Sequence, residues 1–224
     1  MKKILTTALI LGALLVTARP VSAQEEAPAT VSTAKSPLTL GFLLGLNLGR
    51  VSGLASPPWG YRAAFMGGGF LNIPLGRVFS LEPQLYFAQK GAQYSEDVGT
   101  GNFQTSINIS VIELPVLFRI TIPLGPDAIT RPRFFGGPFV SYMTRAVLKQ
   151  IYTDFYGSEA SVDSFDGMKK IETGFIAGAG VEFDVKGGLF SIDARYSQSF
   201  GSITSTPEDK KNKVISIVLG FTFK

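Results

Sequence analysis

Residues 39–49 read TLGFLLGLNLG and alternate between two kinds of side chain. Every second position holds a large apolar residue, in the series Leu40, Phe42, Leu44, Leu46, Leu48. Thr, Gly and Asn fill the positions between them, apart from Leu43. A period of two is the side-chain period of a β-strand. The segment is therefore predicted to be a strand with one bulky apolar face and one small, polar face.

Seven further segments repeat this alternation, so the chain is predicted to form eight strands. They cover residues 59–73, 79–92, 107–122, 131–148, 171–184, 189–200 and 214–223. Strands of this length exceed the usual five or six residues. The register of the fifth strand stays open, because Phe134, Phe135 and Phe139 occupy both parities.

The connections between these strands alternate in length. Residues 74–78, 123–130 and 185–188 are short connections, whereas residues 51–58, 93–106, 149–170 and 201–213 are longer. In an antiparallel up-and-down meander, this alternation places the short turns at one end and the long loops at the other. Bacterial outer-membrane barrels have this form, with short periplasmic turns and longer extracellular loops.

The apolar faces are predicted to point outward to lipid. A soluble barrel that turns them inward around a lipophilic ligand is the alternative. An eight-stranded interior barely accommodates side chains of ordinary size, so the bulky faces fit better outside. The predicted fold is an all-β, eight-stranded antiparallel transmembrane β-barrel.

The N-terminal residues are predicted to direct export. Residues 1–23 combine the basic start Lys2-Lys3, an apolar run over residues 4–18 and the small residues Val21-Ser22-Ala23, as in a cleaved signal peptide. The apolar run is too short for a transmembrane helix. Residues 24–38 are expected to be a flexible periplasmic leader, and residues 39–224 the barrel domain.

Composition excludes several functional classes. The chain has no Cys and no His, which excludes a disulfide scaffold, a Cys nucleophile and a Ser-His-Asp triad. Neither a cofactor nor a metal is expected, and Asp163 and Asp166 are interpreted as part of a solvated acidic loop. Outside residues 1–23 the chain has 18 basic and 17 acidic residues, a nearly neutral balance, so no nucleic-acid partner is expected.

Several blocks of the chain are similar to one known family. LLGLNLG, SLEPQLYFAQKGA, VIELPVLFRI, RPRFFGGPFVSYM, TGFIAGAGVEF, FSIDARYSQSFG and VISIVLGFTF resemble the porin-like outer-membrane beta-barrel domain family common in Bacteroidetes. The resemblance spans residues 38–224. It implies a location in the outer membrane of a Gram-negative cell, contact with outer-membrane lipid, and assembly by the barrel-assembly machinery through the C-terminal strand. Here that strand ends in Phe223 followed by Lys224.

The predicted inward face carries eight charged residues of mixed sign: Glu82, Lys90, Glu113, Arg119, Glu172, Glu182, Asp193 and Arg195. Buried charges are tolerated when they are paired, so these residues are expected to form an ion-pair network that fills the barrel. Arg195 is expected to lie at its centre, with Asp193, Glu82 and Glu113 as partners. Charged rings along a narrow channel for small solutes are the alternative.

The third long loop has the aromatic residues Tyr152, Phe155, Tyr156 and Phe165. They are candidates for binding a surface partner, or for the aromatic girdle at the membrane interface.

The function expected from the sequence is a structural or surface-interaction role without enzymatic activity. A small-solute channel is the second hypothesis, and a lipid-modifying enzyme is the third.

Overall fold

The computed structural model describes residues 38–52, 59–97, 102–125, 128–153, 158–163, 169–202 and 210–224. Residues 152, 153 and 158–163 are described by their backbone alone. The described residues form nine strands: β1 Thr39–Ser52, β2 Gly60–Pro74, β3 Phe79–Asp97, β4 Asn102–Thr121, β5 Thr130–Thr153, β6 Ser158–Asp163, β7 Ile171–Val185, β8 Gly188–Ser199 and β9 Lys211–Phe223. No helix among the described residues is long and apolar enough to cross a membrane.

Eight of the strands close into a ring. The order is β4-β3-β2-β1-β9-β8-β7-β5, and pairing of β4 with β5 completes the circle. All of these pairings are antiparallel. The predicted eight-stranded up-and-down barrel is therefore confirmed.

The two ends of the barrel differ, and we call them the turn end and the loop end. At the turn end, β7 and β8 are joined by only Lys186 and Gly187. Gly187 has a φ of 92°, a left-handed conformation that glycine adopts without a steric cost and that tight hairpins require. At the loop end, longer connections join β1 to β2 and β8 to β9, and the connection from β5 to β7 contains the short strand β6.

The strands at the loop end are longer than predicted. Residues 93–106 were expected to be a loop, but β3 and β4 remain paired from Gln93↔Ser106 to Asp97↔Asn102. This part of the chain has polar residues on both faces of the sheet. Backbone pairing here is therefore not accompanied by an alternation of apolar and polar residues in the sequence. The prediction also missed β6, because its six residues include only two apolar ones, Ala160 and Val162. β6 pairs with β5 from Val147↔Asp163 to Tyr152↔Ser158.

The side chains on the outer surface form an apolar belt. On β1 the exposed residues are Leu40, Phe42, Leu44, Leu46 and Leu48, while the intervening Leu43 and Asn47 are buried. The other barrel strands continue the belt with residues such as Phe118, Ile192, Ile217 and Leu219. An outward apolar band with buried polar groups is the arrangement of a barrel whose solvent is lipid.

The fifth strand has a register shift near its loop end, beyond the three phenylalanines whose parity is ambiguous. Ser110 pairs with Arg145 and Val111 pairs with Met143, so Thr144 is an extra residue in β5. Before this bulge, Phe135 and Phe139 are buried and Phe134 is exposed; after it, Ala146 is buried. The parity that faces the interior therefore changes within a single strand.

Candidate functional site: the charged barrel interior

The structure places all eight charged residues of the predicted network in the interior, where each is at most 9% exposed. They form two groups. The turn-end cluster consists of Glu82, Arg119, Arg133, Glu182, Asp193 and Arg195, and includes Arg133, which the sequence analysis did not identify. The loop-end cluster consists of Lys90, Glu113 and Glu172.

Arg119 of β4 holds one side of the turn-end cluster. Its Nη1 lies 2.7 Å from Oε2 of Glu82 and 3.6 Å from Oε2 of Glu182. Its Nε donates to Ser80 and its Nη2 donates to Asn72, at 3.0 and 2.9 Å. All three nitrogens of the guanidinium therefore have acceptors, as a buried cation requires.

Arg133 of β5 holds the other side of this cluster. Its Nε donates to Oδ1 of Asp193 at 2.8 Å and its Nη2 donates to Oδ2 at 2.6 Å, which makes a two-pronged pair. The same guanidinium reaches Ser191 at 2.8 Å and Glu182 at 3.5 Å. The planar fork of arginine matches a carboxylate in this way, and lysine cannot reproduce it.

Arg195 is less central than expected. Its Nη2 lies 3.2 Å from Asp193, and its Nη1 donates to Gln84 at 2.9 Å. Its other two expected partners are paired elsewhere, Glu82 with Arg119 and Glu113 with Lys90. Arg133 takes the position that the sequence analysis assigned to Arg195, because Arg133 is the cation that binds Asp193 through both carboxylate oxygens.

The loop-end cluster is built around Lys90 of β3. Its ammonium forms a direct ion pair with Glu113 and lies 3.8 Å from Glu172. Tyr86 donates to the other oxygen of Glu113 at 2.6 Å. The Lys90 Nζ also lies 4.7 Å from the centroid of the Phe139 ring, a cation–π distance.

Glu172 lies where β7, β8 and β9 approach the loop end. Ser199 donates to one of its oxygens, Asn212 donates to both at 3.1 and 3.2 Å, and Ser141 donates at 3.4 Å. These donors satisfy a carboxylate that shares its cation with Glu113. Seryl and amide groups of neighbouring strands thus fix the position of one acidic side chain.

Aromatic rings fill the space between the charges, which the sequence analysis did not predict. Phe135 lies 5.2 Å from the Arg195 guanidinium carbon. The three phenylalanines that are buried among the described residues each lie directly across from a glycine on the neighbouring strand, in the pairs Gly41↔Phe70, Gly174↔Phe139 and Gly178↔Phe135. A Cβ atom on Gly178 would lie 2.5 Å from the Phe135 ring, so the glycines make room for the rings.

Among the described residues, a cavity of about 10 Å³ lies where the two clusters approach each other. Its lining includes Tyr86, Lys90, Glu113, Arg195 and Ser197. This volume is close to the minimum for one water molecule. The described part of the interior contains four buried basic side chains and five buried acidic ones, so its charges nearly cancel.

Of the four aromatic candidates of the third loop, one lies within the described residues. Tyr152 lies at the end of β5, where its backbone pairs with Ser158, whereas Phe155, Tyr156 and Phe165 lie outside the described residues. Asp163 ends β6, and Asp166 also lies outside the described residues. The predicted signal peptide and the predicted leader up to residue 37 lie outside them as well.

Solved structures of several outer-membrane proteins have similar barrels at low sequence identity. Neisserial surface protein A matches with a TM-score of 0.46 and 9% identity, covering 83% of this chain and 97% of that chain. OprG from Pseudomonas aeruginosa matches with a TM-score of 0.42 and 13% identity, covering 83% and 94%. Ail from Yersinia pestis, solved with the heparin analogue sucrose octasulfate, matches with a TM-score of 0.36 and 13% identity, covering 83% and 97%.

No curated protein shows significant sequence similarity to the chain. A family model does match it: the outer membrane protein beta-barrel domain, over residues 22–205. This match covers most of the chain and agrees with the closed ring of strands. The narrower assignment to the members common in Bacteroidetes stays a prediction. The chain belongs to the outer membrane protein beta-barrel domain family.

Proposed function

We propose that this outer-membrane barrel has a structural or surface-interaction role, without enzymatic activity, and that its own side chains close its interior. The observation that carries the proposal is the packing of the turn-end cluster. Three arginines and three acids from β3, β4, β5, β7 and β8 meet there, all at most 5% exposed. A permeating solute would have to separate these pairs.

The energetics favour a closed state. Removing one partner of a buried ion pair costs about 3–5 kcal/mol, because an uncompensated charge remains. Arg119 and Arg133 each contact Glu182, so moving either side chain disturbs the other. Eight-stranded barrels generally have an interior that side chains fill, whereas open aqueous channels occur in barrels of about sixteen strands or more.

Single-channel recording in planar lipid bilayers tests this proposal. The refolded protein is expected to give a flat baseline at applied voltages that leave the bilayer intact. Arg133→Ala, which breaks the turn-end cluster, serves as the comparison in the same bilayers. Reproducible unit conductance steps from the unmodified protein would contradict the closed interior and favour a narrow channel for small solutes.

The surface-interaction part of the proposal rests on the β5–β6 hairpin. A membrane-spanning strand needs about 9–11 residues. β5 has 24 residues, and its last part pairs with β6 at the loop end. We propose that this hairpin extends beyond the lipid and that the third loop, with its aromatic residues Tyr152, Phe155, Tyr156 and Phe165, binds a surface partner.

Photo-crosslinking in intact cells tests the surface role. A photoreactive amino acid at position 156 is expected to give a discrete adduct with one partner, whereas the same amino acid at position 186, in the β7–β8 turn, is expected not to give that adduct. The same adduct from both positions, or none from position 156, would contradict a binding role for the loop.

The two ends of the chain are proposed to direct its export and its assembly in the outer membrane. We propose that the signal peptide is cleaved after Ala23 and that the barrel-assembly machinery recognises β9. β9 presents Ile215, Ile217, Leu219 and Phe223 to lipid, while Lys224 beyond it pairs with Asp184. The N-terminal sequence of the protein purified from outer membranes is expected to begin at Gln24, and a chain that keeps Met1 would contradict the cleavage.

A further inference from the structure

Two basic side chains face outward at the loop end of β1 and β9. Arg50 and Lys213 are direct cross-strand partners in the antiparallel pairing of these strands. Both continue the outward parity of their strands, above the exposed pair Leu48↔Ile215. The two cations therefore lie at the upper edge of the apolar belt, where the lipid headgroups begin.

This pairing is unfavourable without an additional anion. Side chains directly opposite each other in an antiparallel sheet have Cβ atoms about 4.5–5.5 Å apart, and like charges in that position destabilise the sheet. Within the part of the chain that the structure describes, neither Arg50 nor Lys213 forms an ion pair with an acid. The contact found for Arg50 is with the ring of Tyr61, whose centroid lies 5.9 Å from its guanidinium carbon.

The surroundings of the pair match a lipid interface. Tyr61 of β2 flanks Arg50, and Gln198 of β8 pairs with Lys213. Tyr196, one outward position nearer the middle of the belt, donates its hydroxyl to Gln198 at 2.6 Å. Tyrosines with one apolar and one polar end are typical of the membrane–water boundary. The row Tyr61, Arg50, Lys213, Gln198 thus carries the hydrogen-bond donors, and apolar side chains such as Leu48 and Ile215 lie next to it on the side of the belt.

We propose that Arg50 and Lys213 bind the phosphate of an outer-leaflet lipid headgroup. The phosphate lies between the two cations and neutralises their repulsion, while the acyl chains lie along Leu48, Ile215 and the belt beneath them. A lipid meets both requirements of the surface, because it has an anionic head and an apolar tail. The proposal rests on the outer-membrane location and not on whether the interior is closed.

Native mass spectrometry of the refolded protein in detergent micelles tests the site. The probe is lipid A with two phosphates, compared with the same lipid after both phosphates are removed. The unmodified protein is expected to retain the phosphorylated lipid. Each basic residue near a charged lipid contributes about a fivefold preference, so Arg50→Gln and Lys213→Gln together should lower retention about 25-fold.

Three controls make the result specific. Lys169→Gln with Lys170→Gln removes the same charge from exposed residues at the same end of the barrel, and retention should not change. Arg50→Lys with Lys213→Arg keeps both charges and should keep the lipid. A heat-dependent shift in gel mobility verifies that every variant is folded.

Equal retention of the dephosphorylated lipid would overturn the proposal, because the phosphate would then be irrelevant. Equal losses from the Lys169/Lys170 variant would also overturn it, since net charge alone would explain the binding. Adducts with inorganic phosphate alone, at the concentration used for the lipid, would show that the cations bind free anions without the acyl chains and would contradict the lipid as the source.

Discussion

Arg133 and Asp193 form the most complete ion pair of the barrel interior, with two hydrogen bonds between one guanidinium and one carboxylate. Asp193 also accepts from Arg195, at the longer distance of 3.2 Å. The two arginines therefore compete for one acid with unequal geometry. Bidentate pairs are the stronger and more specific ones.

A double-mutant cycle is expected to separate the two arginines. Arg133→Ala should lower the free energy of unfolding by about 3–5 kcal/mol, because Asp193 and Glu182 lose a buried cation. The coupling of Arg133 with Asp193 should exceed that of Arg195 with Asp193, and Arg195 should show little coupling with Glu82 or Glu113. Urea titrations in lipid vesicles measure these values.

Arg131 provides the matched control, because it lies two residues away on the same strand with its side chain 37% exposed at the turn end. Its pair with Asp184 is a surface ion pair and its approach to Glu182 is long, at 3.9 Å, so Arg131→Ala should cost about 1 kcal/mol or less. Equal losses from Arg131→Ala and Arg133→Ala would contradict the interior position of Arg133.

Of the nine charged residues that are buried in the described part of the chain, the sequence pattern identifies eight and misses Arg133, for a physical reason. The eight lie on strands where apolar and polar positions alternate clearly. Arg133 precedes Phe134 and Phe135, one of which faces lipid and the other the interior. Interior and lipid both accept phenylalanine, so the pattern in this strand does not distinguish its two faces.

At the scale of strands, glycines opposite aromatic rings set the packing of the interior. Gly41, Gly174 and Gly178 are each paired with an inward Phe on the next strand. The sequence placed glycine on the inward face but gave no reason for it. The reason lies in cross-strand register, which a pattern along one strand does not contain.

Gly178→Ala should reduce stability by about 1–3 kcal/mol, because the added methyl group overlaps the Phe135 ring in a filled interior. Gly69→Ala is the control. Its Cβ would have its nearest neighbour at 3.4 Å, an ordinary contact, so stability should not fall. Unfolding titrations that show the same change for both variants would argue against the ring-and-glycine packing.

The outward face of β8 gives a second prediction at this scale. Ile192→Arg should cost about 2–4 kcal/mol if the side chain lies in hydrocarbon, and Phe200→Arg, just beyond the loop end of β8, about 0–1 kcal/mol. Ser191 is unsuitable as a control because it is buried and accepts a hydrogen bond from Arg133. Refolding into vesicles measures both costs, and a larger loss from Phe200→Arg would contradict the assigned depth.

At the scale of the whole molecule, opposite requirements act on the two surfaces of one sheet. The outer surface meets lipid, so it needs apolar side chains without any specific partner. The inner surface must satisfy charges by pairing, so every buried Arg, Glu and Asp depends on residues of other strands. The alternation of apolar and polar residues along the chain therefore predicted the fold and the face of each strand that is buried. The ion pairs inside the barrel depend on which strands the closed ring brings together, so the alternation could not predict them.

The accessibility of the interior tests the central claim most directly. The chain has no Cys, so a single Ser197→Cys substitution places one thiol at the wall of the interior cavity. Asn102→Cys, at an exposed position where β4 begins at the loop end, is the control. In folded protein reconstituted in vesicles, a small charged methanethiosulfonate reagent should modify the Asn102→Cys variant rapidly. The same reagent should leave the Ser197→Cys variant unmodified until the barrel is unfolded. Modification of both variants at the same rate in the folded state would show a water-filled passage and contradict the closed interior.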